Sequence, residues 1–166
     1  MIKNIFIIGD SAVAYASGGV PIPMKVNHLK YGSYSRLKNN YNLTFLWQES
    51  RTAFGVDFDY LENLFKDNIS DLGENTVVIC EFGGMDAVLQ YYKKYGNMEE
   101  VIRKYISETI RFCEKYNTKV IFMSPWWKYK EDKDYQPWLD MVPIFKKISE
   151  ENNLPEPIEV MYNVLN

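Results

Sequence analysis

The sequence predicts an α/β protein, a three-layer α/β/α sandwich on a parallel sheet of about five strands. Two features of the chain lead to this prediction. Short apolar runs of strand length alternate with amphipathic helical segments, and this alternation is typical of a parallel sheet covered by helices on both faces. The runs are also apolar almost throughout, as expected of strands that are buried on both faces.

The predicted strands are rich in β-branched and aromatic residues and end near glycine, proline or a polar residue. In chain order they are 2–8, 42–47, 75–82, 118–124 and 158–162, and the last run is the weakest. The first run is closed by Gly9, the third by Gly83 and Gly84, and the fourth by Pro125.

The predicted helices carry apolar residues at helical spacing, with charged residues between them, within 60–69, 101–113 and 141–148. A helix interior requires the backbone N–H that proline lacks, so Pro143 predicts that the regular part of the last helix begins there rather than earlier. Two loops beside strand ends, 17–26 and 125–136, are longer than usual. Long loops in such places tend to be functional.

Length and composition restrict the class of protein. The chain has 166 residues, which predicts one domain over 1–166 with a sizeable core. Its net charge of -3 gives no electrostatic reason to expect a nucleic-acid partner. Neither a signal segment nor an apolar run of membrane length is present in the sequence, so we expect a cytoplasmic protein without a membrane partner.

The cysteines and the histidine argue against a metal site. Cys80 and Cys113 both fall inside apolar elements and are predicted to be buried free thiols. The sequence has a single histidine, His28, and no C-x-x-C motif. No set of residues with the spacing of metal ligands is therefore present in the sequence, and we expect no metal and no cofactor.

The first candidate for chemistry is Ser11. It follows Gly9 and Asp10 directly after the first predicted strand. Open α/β sheets place their ligands and reacting groups beyond the carboxyl ends of the strands. Ser11 is therefore a candidate nucleophile, provided that other segments supply a general base and donors for the oxyanion.

Three segments together resemble the SGNH, or GDSL, hydrolases. Ile7-Ile-Gly-Asp-Ser11 is similar to the first sequence block of that family, Trp47-Gln-Glu-Ser-Arg-Thr-Ala53 to the second, and Glu81-Phe-Gly-Gly-Met-Asp-Ala87 to the third. Each segment follows a predicted strand, and the order and spacing agree over about residues 1–125. The resemblance implies a flavodoxin-like strand order and a serine hydrolase of acyl esters.

The resemblance also implies roles for individual residues. Ser11 would be the nucleophile, and its own amide, the amide of Ser50 and the side chain at position 85 would face the oxyanion. Met85 stands at that last position, and a thioether has no N–H to donate. The candidate oxyanion and substrate-binding residues are Asp10, Ser50, Arg51, Gly84, Met85, Asp86 and Trp126.

Some of these residues have an alternative reading. Asp10 and Asp86 are expected to hydrogen-bond loop amides, while Arg51 either holds an anionic group of the substrate or is solvated. Trp126 and Trp127 follow the fourth predicted strand, and adjacent residues tend to point in opposite directions. One of the two rings is therefore expected to stack on a sugar or an acyl chain, and the other to anchor the loop.

The general base is the weakest part of the resemblance. In the family a D-x-x-H segment supplies it after the last strand, and the present sequence reaches Asn166 where that segment would begin. The C-terminal half contains no histidine. The base would then come from His28, in an arrangement that the family does not use, or from a partner chain.

Three functions remain open at this point. The first is a serine esterase or acyltransferase of small acyl esters, with a carbohydrate among the possible ligands. The second is an inactive domain that binds a ligand or a protein through the same cleft. The third is dinucleotide binding, because Gly9-x-Ser11-x-x-Ala14 resembles a degraded G-x-G-x-x-A motif and Glu49 ends the second run. Serine at the middle glycine position and the long separation from Glu49 argue against it.

Overall fold

A computed structural model describes residues 1–9, 37–47, 53–81, 97–123 and 135–155 of the chain. These residues form four β-strands, three α-helices and three short 3₁₀ turns. In chain order the strands are β1 (Asn4–Gly9), β2 (Asn42–Trp47), β3 (Thr76–Glu81) and β4 (Lys119–Met123). The helices are α1 (Phe58–Phe65), α2 (Met98–Lys115) and α3 (Tyr135–Glu151).

The four strands form one parallel sheet in the order β2-β1-β3-β4. The α/β prediction is thereby confirmed, and the order of these strands is the flavodoxin-like one. All four strands lie where apolar runs predicted them, and β2 has the predicted bounds. The fifth predicted run, 158–162, lies outside the described residues.

Both faces of the sheet are buried. On one face, Phe6, Ile8, Val78, Cys80 and Phe122 pack against residues from all three helices. The side chains that the helices contribute to this cluster include Leu61, Phe65, Ile102, Tyr105, Ile106, Phe112, Met141, Phe145 and Ile148. The opposite face carries a second buried cluster, which consists of Ile5, Ile7, Val77, Ile79 and Met123. Burial on both faces accounts for the nearly continuous apolar character of the runs.

The helices begin where the sequence provides a capping side chain. The Asp57 side chain accepts a hydrogen bond from the Tyr60 backbone N–H at 2.9 Å and caps α1. Asn97 does the same for α2 through the Glu99 N–H at 2.9 Å. Such caps satisfy N–H groups that have no partner within the helix. Among the residues described, no helix is both long and apolar enough to cross a membrane.

Two predictions about helix ends are wrong. Ile69 belongs to a separate 3₁₀ turn, because α1 already ends at Phe65. The last helix does not begin at Pro143 but runs through it from Tyr135. Proline removes one hydrogen bond from a helix interior, and here the buried Met141 and Phe145 on either side provide packing that offsets this loss.

A polar network fixes the amino edge of the sheet. Asn42 Nδ2 donates to Asn4 Oδ1 at 3.0 Å, and Asn4 Nδ2 donates to the Asp71 carbonyl at 3.1 Å. Thr76 Oγ1 donates to the same carbonyl at 2.7 Å. Asn42 and Thr76 are the two register partners of Asn4. The network therefore specifies the register of three strands, and through it the alignment of their opposite ends.

An ion-pair network joins α2 to α3 on the surface. Glu99 Oε1 lies 2.8 Å from both Lys147 Nζ and Arg103 Nη2, and Arg103 Nη1 lies 2.5 Å from Glu151 Oε2. Hydrogen bonds from Lys147 and then Arg103 hold the pKa of Glu99 below its ordinary value of 4.5. Arg103 likewise lowers the pKa of Glu151.

The network predicts a loss of stability in acid. A carboxyl group whose pKa is lower in the folded chain stabilises it above the unfolded pKa of about 4.5 and ceases to do so as the pH falls through the folded value. We expect the free energy of unfolding, measured with urea, to decrease between about pH 6 and about pH 3. Glu99→Gln should flatten this decrease, and about 1 M salt should weaken it.

The matched control for this prediction is Glu150→Gln, which removes one carboxylate from α3 outside the network. It should leave the pH dependence closer to that of the wild type. Equal slopes for Glu99→Gln and the wild type would show that the network contributes nothing measurable, as is common for exposed pairs.

Candidate active site at the carboxyl edge of the sheet

The carboxyl ends of the strands lie side by side. β1 ends at Gly9, which is the register partner of Trp47 at the end of β2. Similarly, Glu81 at the end of β3 pairs with Met123 at the end of β4. Neighbouring strands are about 4.8 Å apart, so the four ends span about 14 Å. Segments that leave these ends therefore start within one small region.

The strand order places a topological switch point between β1 and β3. The chain passes from β1 to β2 on one side of β1 and then to β3 on its other side. In open α/β sheets, ligands bind in the crevice that this reversal leaves outside the carboxyl ends. The best candidate site is therefore flanked by the segments that follow Gly9 and Glu81.

The predicted site residues follow these strand ends in the sequence. Asp10 and Ser11 come directly after β1, Ser50 and Arg51 after β2, Gly84, Met85 and Asp86 after β3, and Trp126 after β4. All eight lie outside the described residues, as does His28. The structure thus confirms that the strands that precede them are parallel and adjacent. Convergence of the eight side chains stays a prediction.

The segment that carries Ser50 and Arg51 has a fixed point at either end. It leaves the paired end of β2 at Trp47. At Ala53 the chain enters a 3₁₀ turn, closed by a hydrogen bond of 3.0 Å from the Val56 N–H to the Ala53 carbonyl. Ala53 and Val56 are both buried in the main core cluster. Only five residues, 48–52, connect these two points.

The layer of side chains just before the strand ends is apolar and buried. Ile8, Cys80 and Phe122 are register neighbours on β1, β3 and β4, each one residue before the strand end. All three are fully or almost fully buried. An electrostatic interaction directly above such a floor is stronger than in water, because the local dielectric is low.

Neither cysteine is suited to act as a nucleophile. Both are buried free thiols, as the sequence predicts. Burial raises the pKa of the Cys80 thiol far above its ordinary value and that of Cys113 to about 12. A thiol of this kind carries almost no thiolate at neutral pH and is chemically inert.

Comparison with known proteins shows the fold of the chain. No protein-family model and no curated protein matches the chain. Similar solved structures include mutants of Axe2, an acetylxylan esterase from Geobacillus stearothermophilus. One catalytic mutant has a TM-score of 0.57 and 17% identity, covering 92% of this chain and 74% of that chain.

A second Axe2 mutant, of an enzyme described as an acetyl-xylooligosaccharide esterase, has a TM-score of 0.56 at 15% identity with the same coverage. Another catalytic mutant has a TM-score of 0.52 at 17% identity, again with that coverage. At such low identity these likenesses establish the fold alone. The chain therefore shares the α/β fold of Axe2.

Proposed function

We propose that the chain is a serine hydrolase of small acyl esters, with Ser11 as the nucleophile and an acylated carbohydrate as the substrate class. Ser11 follows the end of β1, beside the switch point where sheets of this kind bind ligands. The similar structures belong to an enzyme that removes acetyl groups from xylan or xylo-oligosaccharides. The fold and the position of Ser11 in the sequence thus support the same chemistry.

The observation that carries this proposal is the number of residues that separate Ser11 from Arg51. In Axe2, the serine replaced in one catalytic mutant and the arginine replaced in another mutant are forty residues apart. Ser11 and Arg51 are also forty residues apart. They follow β1 and β2, which are adjacent in the sheet. Two residues of the same types at the same separation, after adjacent strands, favour a shared site over a coincidence of one short motif.

The proposed reaction is acyl transfer through an acyl-enzyme. Ser11 Oγ attacks the carbonyl carbon while its proton passes to a base, and the negative charge develops on the carbonyl oxygen. The bond to the sugar oxygen then breaks, and that oxygen takes the proton. Water repeats the attack on the acyl-enzyme and releases the acid. The amides of Ser11 and Ser50 would donate to the oxyanion, whereas Met85 contributes no N–H.

The experiment that tests the proposal is labelling with a fluorophosphonate probe. This probe reacts with an activated serine and requires no knowledge of the substrate. We expect mass spectrometry of the purified chain to place the label on Ser11, and urea-unfolded protein to remain unlabelled. His28→Ala then tests the base. It stops labelling of the purified chain if His28 supplies the base, whereas a base from another protein would leave the purified wild-type chain unlabelled until that protein is added.

A second candidate function is a binding domain without turnover. It is favoured by Met85, which stands where the family places an amide side chain, and by the absence of any histidine other than His28 from the sequence. In that case the probe would leave Ser11 unmodified. An acetylated xylo-oligosaccharide would bind, as measured by calorimetry, and would be recovered intact.

Met85→Asn distinguishes the two functions. Asparagine restores an N–H donor for the oxyanion, but a donor and a base act as a unit and their effects are strongly non-additive. If the isolated chain lacks a base, Met85→Asn should therefore change its hydrolysis of p-nitrophenyl acetate by less than about twofold. If a partner chain that supplies a histidine is added, the gain should be about tenfold or more, roughly 1.4 kcal/mol of barrier.

The control is Met85→Leu, which keeps an apolar side chain of similar volume and adds no donor. A gain of about tenfold from Met85→Asn in the isolated chain, without a gain from Met85→Leu, would show that a competent base is already present. The binding-domain function would then have to be abandoned.

A further inference from the structure

The first residue of α1 is held by three side chains of α2. Glu108 Oε2 accepts a hydrogen bond from the Phe58 N–H at 3.1 Å. The Arg111 guanidinium lies 4.5 Å from the centroid of the Phe58 ring, and the Phe112 ring meets that ring edge to face, with the centroids 6.0 Å apart. Positions three and four apart are neighbours on a helix surface. One face of α2 therefore contacts both the backbone and the side chain of Phe58.

The hydrogen bond from Glu108 differs from the other bonds at the start of α1 because it comes from a distant part of the chain. The first N–H groups of a helix have no acceptor within it. Asp57 accepts from the Tyr60 N–H through its side chain and from the Leu61 N–H through its carbonyl. These local bonds shape the helix start, whereas the bond from Glu108, fifty residues later in the chain, fixes where that start lies on α2.

Glu108 is placed to make a lasting bond. Its side chain is only 23% exposed, and water weakens a partly shielded hydrogen bond less than an exposed one. Arg111 Nη1 also lies 3.4 Å from Glu108 Oε2, the oxygen that accepts from Phe58. The contacts of Glu108 and Arg111 with Phe58 therefore support each other.

The start of α1 is close in the chain to the segment 48–52, which carries Ser50 and Arg51. A single 3₁₀ turn lies between them, and the Val56 N–H closes it on the Ala53 carbonyl at 3.0 Å. A short segment joins two fixed points in few conformations. A displacement of the turn and of the helix start would therefore displace the segment 48–52 as well.

We propose that Glu108 is a positioning residue, which anchors the downstream end of the segment 48–52 by holding the Phe58 N–H and so sets the position of Ser50 and Arg51. The effect on the reaction rests on the proposed function, in which the Ser50 amide donates to the oxyanion. The anchoring of the turn and of the helix start does not rest on it.

Three substitutions of Glu108 separate hydrogen bonding from charge and length. Glu108→Ala removes the acceptor. Glu108→Gln keeps an oxygen at the same distance from the backbone without the charge, whereas Glu108→Asp keeps the charge on a side chain that is one methylene group shorter. The matched control is Glu62→Ala, which breaks another link between α1 and α2, namely the bond from Tyr116 Oη at 2.7 Å and the ion pair with Lys115.

Amide hydrogen exchange at Val56 measures the anchoring. This N–H is bonded to the Ala53 carbonyl and not to Glu108, so its exchange reports opening of the turn rather than the lost bond itself. The buried Ile7 of β1 is the reference for global unfolding. We expect Glu108→Ala and Glu108→Asp to accelerate exchange at Val56 by about tenfold beyond any change at Ile7.

The other two variants should leave exchange at Val56 within about twofold of the wild type. Glu108→Gln retains the acceptor, and Glu62→Ala does not touch the helix start. Equal exchange at Val56 in Glu108→Ala and Glu62→Ala would overturn the anchoring. Exchange as fast in Glu108→Gln as in Glu108→Ala would overturn the hydrogen bond as its cause.

Labelling of Ser11 by the fluorophosphonate probe gives the second readout, as a rate constant for the folded molecules. Because a misplacement of about 1 Å costs up to about 10²-fold, Glu108→Ala should lower the rate constant by about tenfold or more, and Glu108→Gln should stay within about twofold of the wild type. Glu62→Ala should not change it. A wild-type rate constant for Glu108→Ala would overturn the effect of Glu108 on the site.

The two proposals fail in different ways. If the wild-type chain is labelled neither alone nor with a protein that supplies the base, the proposed function is wrong, and hydrogen exchange at Val56 alone decides the role of Glu108. If the wild type is labelled and Glu108→Ala behaves like Glu62→Ala in both measurements, the proposed function stands and the positioning role is wrong.

Discussion

Ser11→Ala is expected to abolish reaction with the fluorophosphonate probe, lowering the rate by about 10³-fold or more. Alanine has no oxygen with which to attack phosphorus or an acyl carbon, while the loss of one hydroxyl group leaves the strand before it unchanged. The measurement is the time course of labelling for wild-type and variant proteins at equal concentrations of folded protein. This result would identify Ser11 Oγ as the attacking atom.

Two further variants make the result specific. Ser107→Ala removes the hydroxyl of an exposed serine on α2, whose Oγ donates to the Lys104 carbonyl at 2.9 Å, and it should react as the wild type does. Ser11→Cys tests whether a nucleophile at this position can reach the substrate without help from a general base. A few per cent of a thiol is already ionised at about pH 7. It should react with p-nitrophenyl acetate even if no base is present. An unreactive Ser11→Cys, together with full labelling of Ser11→Ala, would rule out Ser11 as the nucleophile.

Phe65→Ala is expected to lower the free energy of unfolding by about 3–5 kcal/mol. The Phe65 ring is completely buried between the rings of Phe6 and Phe112, with centroid distances of 5.2 and 5.0 Å. It connects α1 to β1 and to α2 at once. Its removal leaves a cavity that the fixed backbone around it fills only in part. Urea denaturation followed by circular dichroism measures the loss.

Phe58→Ala is the matched control on the same helix. The Phe58 ring is half-buried, lies 6.0 Å from Phe112 and has the Arg111 guanidinium 4.5 Å from its centroid. Because much of the space that it vacates is open to water, we expect less than about half the effect of Phe65→Ala. Equal losses for the two variants would show that the core does not extend between α1 and the sheet as described.

Local patterns were enough to predict the strands. Each described strand is apolar because both faces of the sheet are buried, so the runs 42–47 and 75–82 were visible without any knowledge of their partners. The positions of the helices were likewise visible in the spacing of their buried residues. Their ends were not. α3 passes through Pro143, because packing of the residues around it outweighs a backbone preference.

The candidate site, too, was predictable from the sequence only in part. Gly9-Asp10-Ser11 and the two later segments were recognisable because their residue types and their order along the chain are properties of the sequence. That the segments after Gly9 and Glu81 flank one switch point follows only from the order of the strands in the sheet.

The sequence by itself determined the elements, the α/β class and the residues able to carry chemistry, because apolar periodicity and side-chain type are local properties. Only the tertiary structure decided that β1 lies between β2 and β3, that the three described helices share one face of the sheet, and that the strand ends are aligned. These facts depend on pairing between residues far apart in the chain, such as Asn4 with Asn42 and Thr76. No local pattern specifies such pairing, since an apolar strand fits beside any of its neighbours until packing and register select one.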